Sequence, residues 1–361
     1  MGKTPIIGVM IVVLTIINSI VYAQNEKPSY AERLGWPKGS KVIIFHVDDA
    51  GMSVNSNEGV VNSIGKGVAT STSIMMPCPW AASFAKYAIE NKLDAGLHLT
   101  LTSEWHDYRW PPLAGARQVP GLADKDWCLW PEPADVIRHA SADEVETEIR
   151  AQLDRALSIG LKPTHLDSHM GTLFASKAYL QRYIKVGVQY QIPVMFPGGN
   201  DKLLIESSNA ALIKRSKAEG TWKEGMVLPI PDALKDAGEV GEMIWRSGLP
   251  VLDDLVSNSG DWKPGPAADG PDKGVVTPLA YEKYKVQKFE EAIEHMQPGV
   301  AMFIVHSTAV TDDWRKISHS GDSRLADMQA MMDPELREYI RSHGIILTTW
   351  RELMERRQKV K

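Results

Sequence analysis

The chain has 361 residues, 40 Lys+Arg against 45 Asp+Glu for a net charge of −5, and 43% hydrophobic residues. That composition excludes a disordered tail, a collagen-like repeat and a nucleic-acid binder that relies on bulk positive charge. At this length a chain buries roughly three quarters of its unfolded surface, enough for one large barrel or two ordinary domains.

Residues 1–23 set Lys3 ahead of an apolar stretch, Ile6 to Val21, and end on Val21-Tyr22-Ala23. This is the layout of a secretory signal peptide, so cleavage after Ala23 is expected, with 24–40 as a short extension. The apolar stretch contains Thr15, Asn18 and Ser19 and falls short of the roughly 20 residues that span a bilayer. An uncleaved anchor is therefore the weaker alternative, and the expectation is a secreted or periplasmic protein with no stable membrane insertion. Cys78 and Cys128 would then meet an oxidising environment, where closing the loop between them adds on the order of 4 kcal/mol. Their spacing leaves open whether they pair or stay as two free thiols.

From Lys41 onward, β-rich runs alternate with segments of helical period. KVIIFHV (41–47) precedes a helix at 54–66, ATSTSIMM (69–76) a helix at 80–91, and AGLHLTLT (95–102) a helix at 141–160. In that third helix Ser141 and Glu144 form a capping box, Val145, Ile149, Leu153 and Leu157 share a face, and Gly160 stops it. THLDSH (164–169), a helix at 175–190, IPVMF (192–196), a helix at 206–219 and MVLPI (226–230) continue the alternation. A helix at 281–296, VAMFIVH (300–306), a helix at 333–342, IILTTW (345–350) and a last helix complete it. Repeated βα units predict an α/β fold: a distorted, TIM-like (β/α) barrel of seven or eight parallel strands, one domain over 41–358. Two segments break the pattern, a Trp- and Pro-rich insertion at 103–135 and a Gly- and Pro-rich one at 257–275; long loops of this kind are usually functional or disordered.

In a βα barrel the chemistry sits at the C-terminal ends of the strands. Four strand ends carry competent side chains: Asp48-Asp49, His98, His165-x-Asp167-x-His169, and His306. In a straight strand Asp48 and Asp49 would face opposite ways, so the chain must turn at the pair, as Ala50-Gly51 allows. One carboxylate on a divalent metal loses basicity while the other stays free to take a proton. Two imidazoles and one carboxylate leave coordination positions open, the arrangement of a hydrolytic metal site. Each element also has a plain structural reading. The Asp-Asp pair can cap a turn, His98 and His306 can be hydrogen-bonded core groups, and His165 and Asp167 can support ligands from behind.

The segments VDDAGMSVNSNEGVVNSIGKGVATSTSIM (47–75), AGLHLTLT (95–102) and KPTHLDSHMG (162–171) resemble the YdjC/ChbG-type carbohydrate deacetylases, relatives of the NodB-type polysaccharide deacetylases. FIVHS (303–307) and GIILTTWREL (344–353) resemble them more weakly. The resemblance implies metal ligation by Asp49, His98 and His169, with His165 as the alternative third ligand. It implies Asp48 as general base and His306 as the group that protonates the departing amine, with His165 and Asp167 in support. The implied reaction is metal-dependent hydrolysis of an N-acetyl group on an amino sugar or oligosaccharide, releasing acetate. Zn²⁺ is the expected ion, with Mg²⁺ or another divalent ion as alternatives.

The chain departs from the family pattern at Ala50, where Phe is common, at His46, where a small or amide residue is usual, and at Met170-Gly171, where further histidines follow. These positions are expected to touch the substrate pocket. Eleven Trp against six Phe is unusual, and indole faces suit sugar rings; Trp105 and Trp110, just after the His98 strand, are the expected sugar contacts. A non-catalytic glycan-binding protein on the same scaffold and a metal hydrolase of another bond are the competing readings. Phosphoester chemistry would favour an Arg/Lys cluster or a second metal, and the motifs display neither. The expected partner is an N-acetylated saccharide, with no nucleic acid; the sequence does not set the oligomeric state.

Overall fold

The computed structural model describes residues 27–223, 226, 234–268 and 273–360. The signal segment and the expected strand at 226–230, Met226 apart, lie outside the described residues. After a short helix α1 (Tyr30–Arg33), the chain runs β1 (Lys41–Ala50), α2 (Val54–Gly65), β2 (Ser71–Ile74), α3 (Ala81–Glu90) and β3 (Ala95–Leu99). The 103–135 insertion follows, leading into α4 (Pro133–His139), α5 (Ala142–Ile159), β4 (Leu166–Ser168), α6 (Lys177–Tyr190), α7 (Lys202–Ala218) and α8 (Ala237–Arg246). The last part holds β5 (Asp254–Val256), α9 (Pro278–His295), β6 (Gly299–Val305), α10 (Asp312–Ile317), α11 (Gly321–Met332), α12 (Pro334–Ser342), β7 (Ile346–Leu347) and α13 (Trp350–Lys359).

All strands pair in parallel, in the order β4-β3-β2-β1-β6-β5. β1 is central because Val42, Ile43, Ile44 and Phe45 are apolar in succession and wholly buried, as a strand covered on both faces requires. One edge of β1 is divided lengthwise. β7 pairs with its start (Val42 with Ile346, Ile43 with Leu347) and β2 takes over from His46. The two outer strands are joined through residues 193–198, which bridge Leu166 to Val194 and Pro197 to Leu252. That stave was expected as a strand at 192–196. Pro193 and Pro197 have no N–H to donate, so it contributes bridges rather than a ladder.

The helix α5 has the expected capping box and a left-handed C-cap at Gly160. Its buried face is Val145, Ile149, Leu153 and Ala156, whereas Leu157, expected on that face, is exposed. β5 and the helices α8, α10 and α11 were not expected. Buried apolar residues from Tyr30 to Leu353 form one cluster. Cys78 and Cys128 are both free, Cys78 buried. Among the described residues no helix is long and apolar enough to cross a membrane.

Candidate active site

The site begins with a defect in β1. The β1–β2 register slips between Val47 and Ala50, and Asp49 takes the left-handed conformation at φ +64°. The turn expected at the Asp pair is made by Asp49 itself, a conformation uncommon for a non-glycine residue and typical of functional sites. Its effect is geometric: Asp48 Oδ2 stands 3.7 Å and Asp49 Oδ1 3.4 Å from the same nitrogen, His98 Nε2. Gly51 follows at φ +82°, where a Cβ would sit 2.6 Å from the Ala81 backbone, so no larger residue fits behind the bulge.

On β4 the alternation of a strand sends His165, Asp167 and His169 to one side, at successive depths. Asp167 pairs in register with His98 on β3, and its Oδ1 lies 2.7 Å from His98 Nδ1. That contact places the imidazole proton on Nδ1 and turns the Nε2 lone pair toward the site. His169, at the mouth, presents Nδ1 at 3.1 Å from His98 Nε2 and 3.5 Å from Asp49 Oδ1. Its own Nε2 lies 3.1 Å from Glu104 Oε2. His165 lies at the bottom, fully buried, stacked on Trp350 at 5.0 Å, in space that the absent side chain of Gly96 leaves free.

Three donor atoms therefore form a triangle with edges of 3.1, 3.4 and 3.5 Å: Asp49 Oδ1, His98 Nε2 and His169 Nδ1. Tetrahedral donors held about 2.0–2.1 Å from a zinc ion stand ~3.3 Å apart. Asp49 Oδ1 is buried without a hydrogen-bond partner, a loss that a cation would repair. The donor set and the orphaned oxygen fit a divalent cation. Two further groupings of donor atoms, His46–His165–Asp167 and Asp48–His98–Asp167, lie in the same stack. In the first, His46 and His165 are fully enclosed; the second reuses the carboxylate that already holds His98.

The electrostatics point the same way. Burial opposes charge on His169, yet Glu104 and Asp49 outweigh it and raise its pKa to about 10. His98 is raised likewise, burial being outweighed by Asp48 and Asp167. Asp49, although buried, is held well below the usual carboxylate range by the Arg324 guanidinium and His169. A pocket that draws protons onto its imidazoles is one in which a cation replaces them and releases protons.

His306 closes the site from the end of β6. Its backbone N–H donates to Asp327 Oδ2 at 3.1 Å, and its half-buried ring sets Nε2 3.8 Å from Asp48 Oδ2. Burial and the nearby Arg324 push this imidazole below the ordinary histidine value. All seven Asp and His positions singled out in the sequence thus meet at one end of the strands, His165 at the base of the stack.

The Trp expectations divide. Trp110 is 1% exposed, its Nε1–H donating to Thr102 O at 2.9 Å and its ring packed edge-on against Trp105 and Tyr108. It anchors the insertion and has no surface for a sugar. Trp105 is half-buried on the wall of a hollow of about 400 Å³ that it shares with Glu104, His106 and residues 316–320. The departures from the family pattern were expected in the pocket, and two of the three lie elsewhere. His46 and Ala50 are fully buried, His46 Nε2 standing 3.0 Å from both Asp48 Oδ1 and Asp167 Oδ2; only the Met170-Gly171 pair is exposed. The sequence reading missed Glu104 and Arg324, whose Nη1 lies 2.5 Å from Asp49 Oδ2. Neither residue belongs to a strand-end motif.

The profile of the family described as YdjC-like protein matches residues 42–342. A carbohydrate deacetylase of Thermus thermophilus is 26% identical over 325 residues, covering 90% of this chain and 97% of its own length. One of Thermoanaerobacter pseudethanolicus is 30% identical over 315 residues, 86% of this chain and 98% of its own. A chitooligosaccharide deacetylase of Yersinia enterocolitica is 27% identical over 218 residues, 59% and 74% of the two chains. A solved structure from Enterococcus faecalis, described provisionally as a cellobiose-phosphate cleavage protein, shares the fold with a TM-score of 0.63 at 18% identity. It covers 87% of this chain and 99% of its own.

Proposed function

The chain belongs to the YdjC-like family, and from that premise we propose how it works as a carbohydrate deacetylase, a hydrolase of amide bonds. The observation that carries the reading is the triangle of Asp49 Oδ1, His98 Nε2 and His169 Nδ1 with the Asp48 carboxylate beside it and outside it. These three residues would hold the metal, with Zn²⁺ favoured by two nitrogens and one oxygen at tetrahedral spacing. When bound, a divalent cation supplies polarisation of the acetamido carbonyl and a more acidic water.

Asp48 is the base. It takes a proton as the water oxygen bonds to the carbonyl carbon, and its position 3.8 Å from His306 gives that proton a short onward path. His306 rests neutral near pH 7, given its lowered pKa. Once charged, it donates to the sugar nitrogen as the carbon–nitrogen bond breaks, and acetate and a free amine leave. Asp167 keeps His98 in the tautomer that presents Nε2, while His46 borders Asp48 and Asp167 from beneath. The substrate is an N-acetylated amino sugar or oligosaccharide, with Trp105 on its path.

Purified protein is expected to release acetate from a panel of N-acetylated oligosaccharides, to stop on chelation and to resume with added Zn²⁺. Metal-loaded protein that releases none from any of them would instead support a glycan-binding role. We also read residues 1–23 as an export signal. Protein recovered from the periplasm or medium should begin at Gln24 on N-terminal sequencing; a chain retained in the cell with Met1 intact would overturn this.

A further inference from the structure

We propose that Glu104 is a positioning residue for His169, so that the 103–135 insertion, and not the barrel alone, sets the affinity for the metal. The inference rests on the metal reading given above. His98 and His169 present different nitrogens to the site. His98 offers Nε2 because its Nδ1 is held from inside the barrel by Asp167 on the neighbouring strand. His169 is turned the other way and offers Nδ1, so its Nε2 points out past the strand ends, where Glu104 Oε2 meets it at 3.1 Å. That contact places the proton on Nε2 and leaves the Nδ1 lone pair facing Asp49 and His98.

The segment that carries Glu104 is pinned on both sides. Ser103 N donates to Trp130 O at 2.9 Å, Trp110 N donates to Ser103 Oγ at 3.1 Å, and the buried Trp110 indole donates to Thr102 O. The next residue, Trp105, packs against Trp110 and flanks Arg324, which grips the outer oxygen of Asp49. A long insertion with this many ties is a fixed part of the site wall. His169 needs such support, because the residues after it, Met170 and Gly171, both take left-handed backbone conformations and no strand continues to hold it.

The test uses full-length mature protein stripped of metal, with Zn²⁺ affinity read by competition against a chromophoric chelator. Glu104→Ala should bind Zn²⁺ roughly 10–100-fold more weakly, the usual effect of removing a partner that orients a ligand. Glu104→Gln should fall between it and the wild type, since the amide oxygen still accepts the Nε2 proton. At saturating Co²⁺ the visible spectrum of Glu104→Ala should change as His169 reorients; a purely electrostatic effect of one lost charge would leave it as in the wild type. Wild-type affinity, or an unaltered Co²⁺ spectrum, overturns the proposal while a His98→Gln control that loses the metal keeps the ligand reading standing. A wild-type protein that binds no Zn²⁺, or a His98→Gln protein that binds it equally, overturns both. Should Glu104→Ala lack a cooperative thermal transition, Glu104→Gln decides, and affinity equal to wild type sinks the idea.

Discussion

His98→Ala and His169→Ala are each expected to yield folded protein that holds no stoichiometric metal and releases acetate at least ~10³-fold more slowly, because carbonyl polarisation and water activation are lost together. Each removes one corner of a triangle whose edges are 3.1–3.5 Å, and two remaining donors do not make a site. The truncations differ in stability. His98→Ala strips Asp167 Oδ1 of its 2.7 Å donor in a fully buried setting, costing about 1–3 kcal/mol for the stranded acceptor. His169 is also buried, but its partner Glu104 has a side chain 17% exposed against 2% for Asp167, so water can replace the lost donor and this variant should melt closer to the wild type. His165→Ala is the discriminating comparison. Its ring lies outside the triangle, stacked on Trp350, so this variant should lose stability and keep the metal. Metal content by elemental analysis and melting curves settle all three. Metal retained by both His98→Ala and His169→Ala, or lost from His165→Ala at full folding, would refute the ligand set.

The parts of this architecture that could be read from the sequence are those in which one physical rule dominates. The apolar run of β1, the capping box of α5 and the two-residue spacing that sets His165, Asp167 and His169 on one side each follow from a single local rule, although that spacing left open which histidine faces the metal. The stave at 193–198 was legible as a strand, but its prolines thin the hydrogen bonding. β5 is three residues long and begins with Asp254, whose carboxylate is absorbed by the backbone N–H groups of Leu203 and Leu204; Asp253 and Asp254 interrupt its apolar residues, Leu255 and Val256, and leave too short a run to read as a strand. Trp110 was misread because proximity to a strand end does not say which way a side chain faces, and here its N–H found a backbone acceptor in the interior. Glu104 and Arg324 were missed for another reason. One lies in an irregular insertion and the other on a helix that lies apart from the strand-end motifs in sequence, so only the fold brings them to His169 and Asp49.

Asp48→Asn is expected to keep its metal and lose turnover by roughly 10²–10⁴-fold, the range for removing a positioned general base. The substitution is nearly isosteric, and the amide oxygen can occupy the place of Asp48 Oδ1 beside His46 Nε2 and Ser73 Oγ. What the amide cannot do is accept the proton that the attacking water gives up, so the loss should fall on kcat with KM little changed. Asp49→Asn, one residue along, should behave differently. It removes the negative donor from the triangle and leaves the Arg324 guanidinium facing a neutral group, so the metal itself should be lost or much weakened. Adjacent carboxylates with opposite outcomes are what the left-handed turn at Asp49 predicts, since it aims one oxygen at the two imidazoles and leaves the other carboxylate outside the triangle, beside His306. Metal titration and initial rates of acetate release on the two variants separate the roles. An Asp48→Asn enzyme within tenfold of the wild-type kcat would move the base elsewhere, and His306 would then be the next group to test.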